Sequence, residues 1–380
     1  MYNGRRGALS QPLRDAHTMK LKKIVTWSLA TLLGLAVLFA AAVWLTTFHP
    51  DERQPEPVSC DDSAPTLQPG QSLKVMSWNV QYMAGKNYVF FYDLWDGSGP
   101  DERPSSADIA HTVDEVARII RDEEPDVLLI QELDDGAART DGADQLALLT
   151  DKIGGLYPCS TAAFYWKAAF VPHPRIMGSS GAKLAVLSKY RIDSAERHSL
   201  PAISSDDIVT RQFNYKRAIL AAYLPIEGGG SFAALNTHLS AFAQGSPTMA
   251  LQIEKVLAVL AELDSGAQPW VIGGDFNLLP AGARSQLSVE ERRYYNEDTE
   301  LATLYAKYRG MPSAEETRGP DAARWFTHYP NDPAVSGPDR TIDYLFLSDG
   351  LGLGEHSIRQ HDTLKISDHL PVIAELTLPE

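Results

Sequence analysis

The hydrophobic pattern changes character once along the chain. Residues 24–47, IVTWSLATLLGLAVLFAAAVWLTT, carry no charge and are almost continuously apolar. As a helix this run would extend roughly 36 Å, enough to cross a bilayer core of about 30 Å. It reads as a membrane span or a long secretory signal, and it is longer than the roughly 7–15 apolar residues of a cleavable signal, which favours an uncleaved anchor. Beyond residue 72 the apolar residues fall instead into short runs separated by turn residues.

Those runs alternate between two periods. LKVMSWNVQ and DVLLIQEL are strand-like, and between them SSADIAHTVDEVARIIRDEE sets Ile109, Val113, Val116 and Ile120 on one helical face behind a serine cap. Together they predict a β-α-β unit. AKLAVLSKY, KRAILAAYLPI, SFAALNTHL, PWVIGGDF, TIDYLFLS and LPVIAELTL predict further strands, with a helix from about Pro247 to Leu263. The Gly228-Gly229-Gly230 turn predicts a hairpin; no helix follows it and no Lys-Ser/Thr pair completes a phosphate loop. The expected organisation is a basic N-terminus (1–23), the span (24–47), a proline-rich linker (48–72) and one α/β domain with mixed sheets (73–380).

Charge and cysteines refine the setting. Arg5, Arg6, Arg14, Lys20, Lys22 and Lys23 precede the span, while Asp51, Glu52, Glu56, Asp61 and Asp62 follow it. Positive flanks stay in the cytoplasm, so the domain is expected on the extracytoplasmic side, periplasmic or extracellular. There Cys60 and Cys159 either form one disulfide clipping the linker to the domain or remain two unrelated thiols. The chain carries −15, and without residues 1–50 the balance is 28 basic against 48 acidic residues. Such acidity disfavours a polyanionic partner, nucleic acid included.

Polar residues recur where the apolar runs end: Asn79, Glu132, His238, Asp275 with Asn277, Asp343, and Asp368 with His369. Singly, each has an ordinary structural explanation as a turn residue, a solvated strand end or a hydrogen-bonded core histidine. Jointly, strand ends that deliver carboxylates, amides and imidazoles to one place build a metal-assisted phosphate site.

SWNVQ (77–81), IQEL (130–133), LAVLSKYRI (184–192), NTHL (236–239), GGDFN (273–277), IDYLFLS (342–348) and SDHLPV (367–372), in that order, resemble the endonuclease/exonuclease/phosphatase superfamily with its DNase I-like fold. The resemblance implies a four-layered sandwich of two packed mixed β-sheets flanked by helices, and hydrolysis of a phosphate ester with Mg²⁺ or Mn²⁺. It implies Glu132 as principal metal ligand with Asn79 and Asp368 nearby, and Asp275 orienting or deprotonating the attacking water. It further implies Asn277, His238 and Arg217 on the substrate phosphate, and His369, held by Asp343, stabilising its developing charge.

These motifs do not separate nucleic acids from lipid headgroups. Export, acidity and an anchor favour a phospholipid or sphingolipid headgroup, as for a sphingomyelinase. Two aromatic stretches, NYVFFYDLW (87–95) and FYWKAAFVPH (164–173), are expected either at a lipid-facing rim or in a second core cluster. The alternatives are an extracytoplasmic DNase I-like nuclease and a catalytically inactive binding module; the complete set of polar residues argues against the latter.

Overall fold

The computed structural model describes residues 11–241 and 243–380, with side chains from Thr18 onward. Arg5 and Arg6 lie outside them. The described residues fall into two units, one ending at Thr47 and the other spanning Phe48–Glu380. The first is helix α1 (Gln11–Thr46); its stretch Thr18–Thr46 is long and apolar enough to cross a membrane, and none of it is buried.

The second unit holds strands β1 (Arg53–Glu56), β2 (Val58–Cys60), β3 (Ser72–Asn79), β4 (Val127–Asp134), β5 (Cys159–Val171), β6 (Gly178–Ser188) and β7 (Ser194–Ser199). They are followed by β8 (Ala218–Pro225), β9 (Ser231–His238), β10 (Trp270–Asp275), β11 (Arg309–Met311), β12 (Asp343–Leu347), β13 (Gly352–Ile358) and β14 (Val372–Thr377). One seven-stranded sheet runs β13-β14-β3-β4-β6-β5-β2, the other β1-β7-β8-β9-β10-β12-β11. Both are mixed: β3 pairs in parallel with β4, and β9 with β10, among antiparallel neighbours. The triple glycine closes the expected β8–β9 hairpin.

The helices are α2 (Ser106–Glu123), α3 (Gln145–Ile153), α4 (Ile208–Phe213), α5 (Thr248–Ser265) and α6 (Leu301–Lys307). Ser105 caps α2 by accepting from the Asp108 amide, and Ile109, Val113, Val116 and Ile120 bury against Met76, Leu128 and Ile130 of the first sheet. Each such burial contributes about 1.5–3 kcal/mol. α5 and α6 cover the second sheet, where Val256, Leu260 and Leu304 meet Leu235 and Ile272. Val75, Leu129 and Val186 from one sheet face Leu220, Ala234 and Val271 from the other. The four layers implied by the resemblance are all present.

Two polar side chains join the sheets beneath the site. Asn236 of β9 donates to the carbonyls of Ile130 and Ala185, both at 2.8 Å, and accepts from Gln131 Nε2 at 2.7 Å. All lie in the interior, where each bond stands in for water the groups cannot reach.

The expected linker is corrected. Residues 53–60 form β1 and β2, which end opposite sheets with only Pro57 between them, so the fold begins well before Leu73. Proline is tolerated on edge strands, so a proline-rich segment with no apolar alternation can still pair there. Of the two expected states of the cysteines, the disulfide is present: Cys60 and Cys159 are bonded across the β2–β5 pair, where Cys159 opens β5. The stretch 164–173 is likewise mostly strand, within β5.

Candidate active site

Asn79, His238 and Asp275 are the last residues of β3, β9 and β10; the β9–β10 pairing sets His238 beside Asp275, and the packing of the two sheets brings the end of β3 to them. Glu132 sits where β4 slips register against β6 and adopts φ 60°. Such a bulge re-aims a side chain that a regular strand would direct elsewhere. Gly274, at φ +147°, is required by close approach: a Cβ there would stand 1.9 Å from the Thr237 carbonyl oxygen of the neighbouring strand. Asp343 opens β12, and Asp368 and His369 precede β14.

The loop at Thr327–Tyr329 fixes that last pair. Leu370 N donates to Thr327 O, Tyr329 N donates to Asp368 O, and Thr327 Oγ1 accepts from the amides of Ile342 and Asp343. Ser367 Oγ donates to Asn79 O at 2.8 Å and accepts from His369 N at 3.1 Å, tying the two ends of the sequence together.

At the centre, Asn79 Nδ2 donates to Glu132 Oε1 at 3.1 Å and to Asp275 Oδ2 at 3.2 Å. The same Asp275 oxygen lies 3.2 Å from His238 Nε2 and 3.6 Å from His369 Nε2. The other oxygen accepts from Asn277 N at 2.9 Å. His369 Nδ1 is 2.8 Å from Asp343 Oδ2. Arg217 is buried over the rings of Tyr215 (4.4 Å) and Tyr165 (5.0 Å), and its Nε and Nη1 have no protein partner. Asn277 donates to Leu239 O.

Electrostatics divides the histidines. Burial opposes charge on His369, but Asp343, Asp275 and Asp368 outweigh it and raise its pKa to about 10, so it is an imidazolium at neutral pH. His238 is pushed well below the usual range by burial, with Arg217 and His369 adding to the effect, and is neutral. Burial also raises Glu132, with Asp368 contributing, and lifts Asp275 to about 7 against the opposing pull of His369. These carboxylates are thus crowded, buried and short of positive charge.

That donor set fits a hard divalent cation, which favours carboxylate and amide oxygens. Asp275 and Asp343 bring carboxylate oxygens within 4.8 Å of each other, and His328 brings a ring nitrogen within the same distance of an Asp368 oxygen. Glu132 adds a further carboxylate and Asn79 a neutral amide oxygen.

The structure therefore gathers Asn79, Glu132, His238, Asp275, Asn277, Asp343, Asp368 and His369 at one end of the two sheets, with Arg217 on the wall. Several neighbours escaped the sequence reading. His328, in a loop with no apolar run before it, lies with its ring 4.6 Å from that of His369. Arg139 pairs bidentately with Asp134 and stacks 3.5 Å over Tyr82. Tyr82 is placed by three successive left-handed residues, Gln81, Tyr82 and Met83, a turn costing roughly 1–2 kcal/mol per residue. Asp93, from the 87–95 stretch, is lifted to about 7 by burial and by Asp368. No periodicity in the sequence marks these positions.

Above the site opens a cleft of about 840 Å³, with Phe91, Trp166, Phe213, Tyr215, Leu278 and Leu279 among its walls. Both expected aromatic stretches contribute, through Phe91, Tyr92, Trp166 and Val171. The 87–95 stretch also forms a small core of its own, where Phe90 is buried with Tyr82 and is flanked by Tyr88 and Tyr92.

The chain belongs to the endonuclease/exonuclease/phosphatase family, whose profile matches residues 76–369. The family comprises phosphoester hydrolases that depend on metal ions. Its fold is similar to that of an endonuclease/exonuclease/phosphatase from Beutenbergia cavernae, with 21% identity over 81% of this chain and 72% of that one, TM-score 0.54. The human nocturnin catalytic domain, solved with a bound sulfate anion, is 18% identical over 85% of this chain and 98% of its own, TM-score 0.50. A family member from Bacteroides vulgatus is 15% identical over 81% and 99%, TM-score 0.49. No curated protein matches the sequence significantly.

Proposed function

We propose that this chain is a membrane-anchored, Mg²⁺- or Mn²⁺-dependent phosphodiesterase acting on a phospholipid or sphingolipid headgroup. The observation that carries the reading is the union of a carboxylate-histidine phosphate site with a large aromatic and aliphatic cleft directly above it. A headgroup is polar at the phosphate and apolar beyond it, and the cleft has the same polarity gradient. The acidic balance of the domain weighs against a polyanion.

Glu132 and Asp368, with Asn79, would hold the cation, which supplies Lewis-acid stabilisation of the phosphoryl oxygens. Asp275 orients the attacking water and takes its proton, and its elevated pKa suits that task. His369 donates from Nε2 to the phosphate while Asp343 holds its ring and its charge. Neutral His238, Asn277 and the unpartnered nitrogens of Arg217 complete the phosphate contacts. The apolar helix α1 would hold the domain on the extracytoplasmic face, as the flanking charges predict.

The test is hydrolysis by the full chain in mixed micelles containing sphingomyelin and phosphatidylcholine, with Mg²⁺ or with a chelator, and separately of duplex DNA. Metal-dependent headgroup release with intact DNA is the expected result. DNA nicking with untouched lipid would overturn the substrate and leave the site standing.

A further inference from the structure

Of the eight large apolar residues exposed among the described residues of the domain, Trp95, Leu148, Leu251 and Val289 lie apart, and the other four fall in two segments beside the cleft. Ile208 and Val209 on α4 are 82% and 68% exposed, and Met177 and Phe170 at the β5–β6 turn are 61% and 44% exposed. Both segments border the cleft: Val209, Thr210 and Phe213 of α4 line it, as do Val171 and Ile176 beside the turn. α4 is fastened to β5, the strand that leads into this turn, because Trp166 donates to the Phe213 carbonyl at 2.7 Å. Asp207 caps α4 by accepting from the amides of Val209 and Thr210, so this short helix is ordered locally while burying none of its own residues. An ordered, uncovered apolar lip beside a binding cleft is the mark of an interaction surface.

We propose that this lip docks on the surface of the bilayer, seating the cleft mouth against the lipids from which the substrate is drawn. The proposal rests on the membrane-anchored reading above. Chain connectivity identifies the occupant. Only residues 47–52 separate α1 from β1, which limits the tether to about 25 Å. Phe48, the first residue of the domain, packs on Phe164 with ring centroids 6.5 Å apart. Phe164 lies on β5, the strand that carries Phe170 to the lip. The tether therefore joins the domain along the element that ends in the exposed apolar turn. Lys167 and Arg211, set among Asp206 and Asp207, give this side mixed charge, which suits a zwitterionic rather than a strongly anionic surface.

Both native cysteines are consumed in the disulfide, so an introduced cysteine is the sole free thiol. Full-length protein carrying Ile208→Cys, labelled with a polarity-sensitive fluorophore and reconstituted in phosphatidylcholine vesicles, should be quenched by nitroxide-bearing lipids. The same label at Glu227→Cys, in the hairpin turn at the opposite end of β9, should not be. Ile208→Asp combined with Met177→Asp should lower headgroup release from vesicles by about tenfold or more, while hydrolysis of a small soluble phosphodiester stays unchanged. Equal quenching at 208 and 227, or unchanged vesicle hydrolysis in the double variant, would sink the docking surface. Absence of lipid hydrolysis in the unmodified chain, with quenching at 208 intact, would instead overturn the substrate and keep the docking.

Discussion

Glu132 shows how much of the site depends on one backbone irregularity. Its left-handed φ at the β4 bulge turns the carboxylate toward Asn79 and the other acidic groups, in an environment that raises its pKa. Glu132→Gln keeps the shape and the Asn79 hydrogen bond but removes the charge. Turnover is expected to fall about 10³-fold or more with an unchanged melting curve. Asp343→Asn should act differently, because it leaves every group that faces the phosphate in place and removes the anion that keeps His369 charged. A loss of about 10–100-fold is expected, with the His369 ring resonances titrating at lower pH than in the unmodified protein. Full activity in Glu132→Gln would refute the metal-ligand assignment. At this scale the sequence was informative where a polar residue ended an apolar run, as at Asn79, His238 and Asp275, whereas Asp343 opens its strand instead of ending one. It was silent for His328, Arg139 and Asp93, whose places are set by loop pairing and tertiary contact.

At the scale of elements, two polar networks do the fastening. Asn236 bridges the sheets, and Asn236→Ala would leave the carbonyls of Ile130 and Ala185 buried without partners. A loss of about 2–4 kcal/mol in denaturant unfolding is expected, with activity lowered through the nearby Glu132 bulge. Arg359 binds Asp122, Glu123 and Asp362, and Arg118 also reaches Asp362, fastening α2 to the β13–β14 connection. Hydrogen bonds from Arg359 and Arg118 hold the Asp362 carboxyl well below its ordinary 3.8, against the cost of burial. Because the folded pKa is depressed, this stabilisation is complete above about pH 4 and is lost as pH falls below it. Asp362→Asn should lower stability by about 1 kcal/mol at neutral pH and flatten the acid limb of the stability curve; equal acid sensitivity in both proteins would count against the network. The β-α-β unit and most central strands were legible because their apolar periods are clean. β5 was not, because Phe164 and Trp166 beside inward Ala163 and Tyr165 blur its alternation.

For the whole molecule, the sequence conveyed the four-layered class through ordered motifs, while the edges of both sheets stayed hidden in residues 53–60. Prolines and acidic residues there look like linker because edge strands tolerate what central strands exclude. The placement of β1 and β2 gives the segment a mechanical meaning. Any pull through α1 reaches the domain first by peeling β1 from β7, and the chain then meets the Cys60–Cys159 bond. Load passes covalently from Cys60 to Cys159, bypassing the 99-residue separation that contains β3, β4, α2 and the Asn79 and Glu132 side of the site. Single-molecule extension between the two ends should therefore release roughly 340 Å less chain than after reduction of the bond. The half of the site borne on that loop is shielded from direct tension.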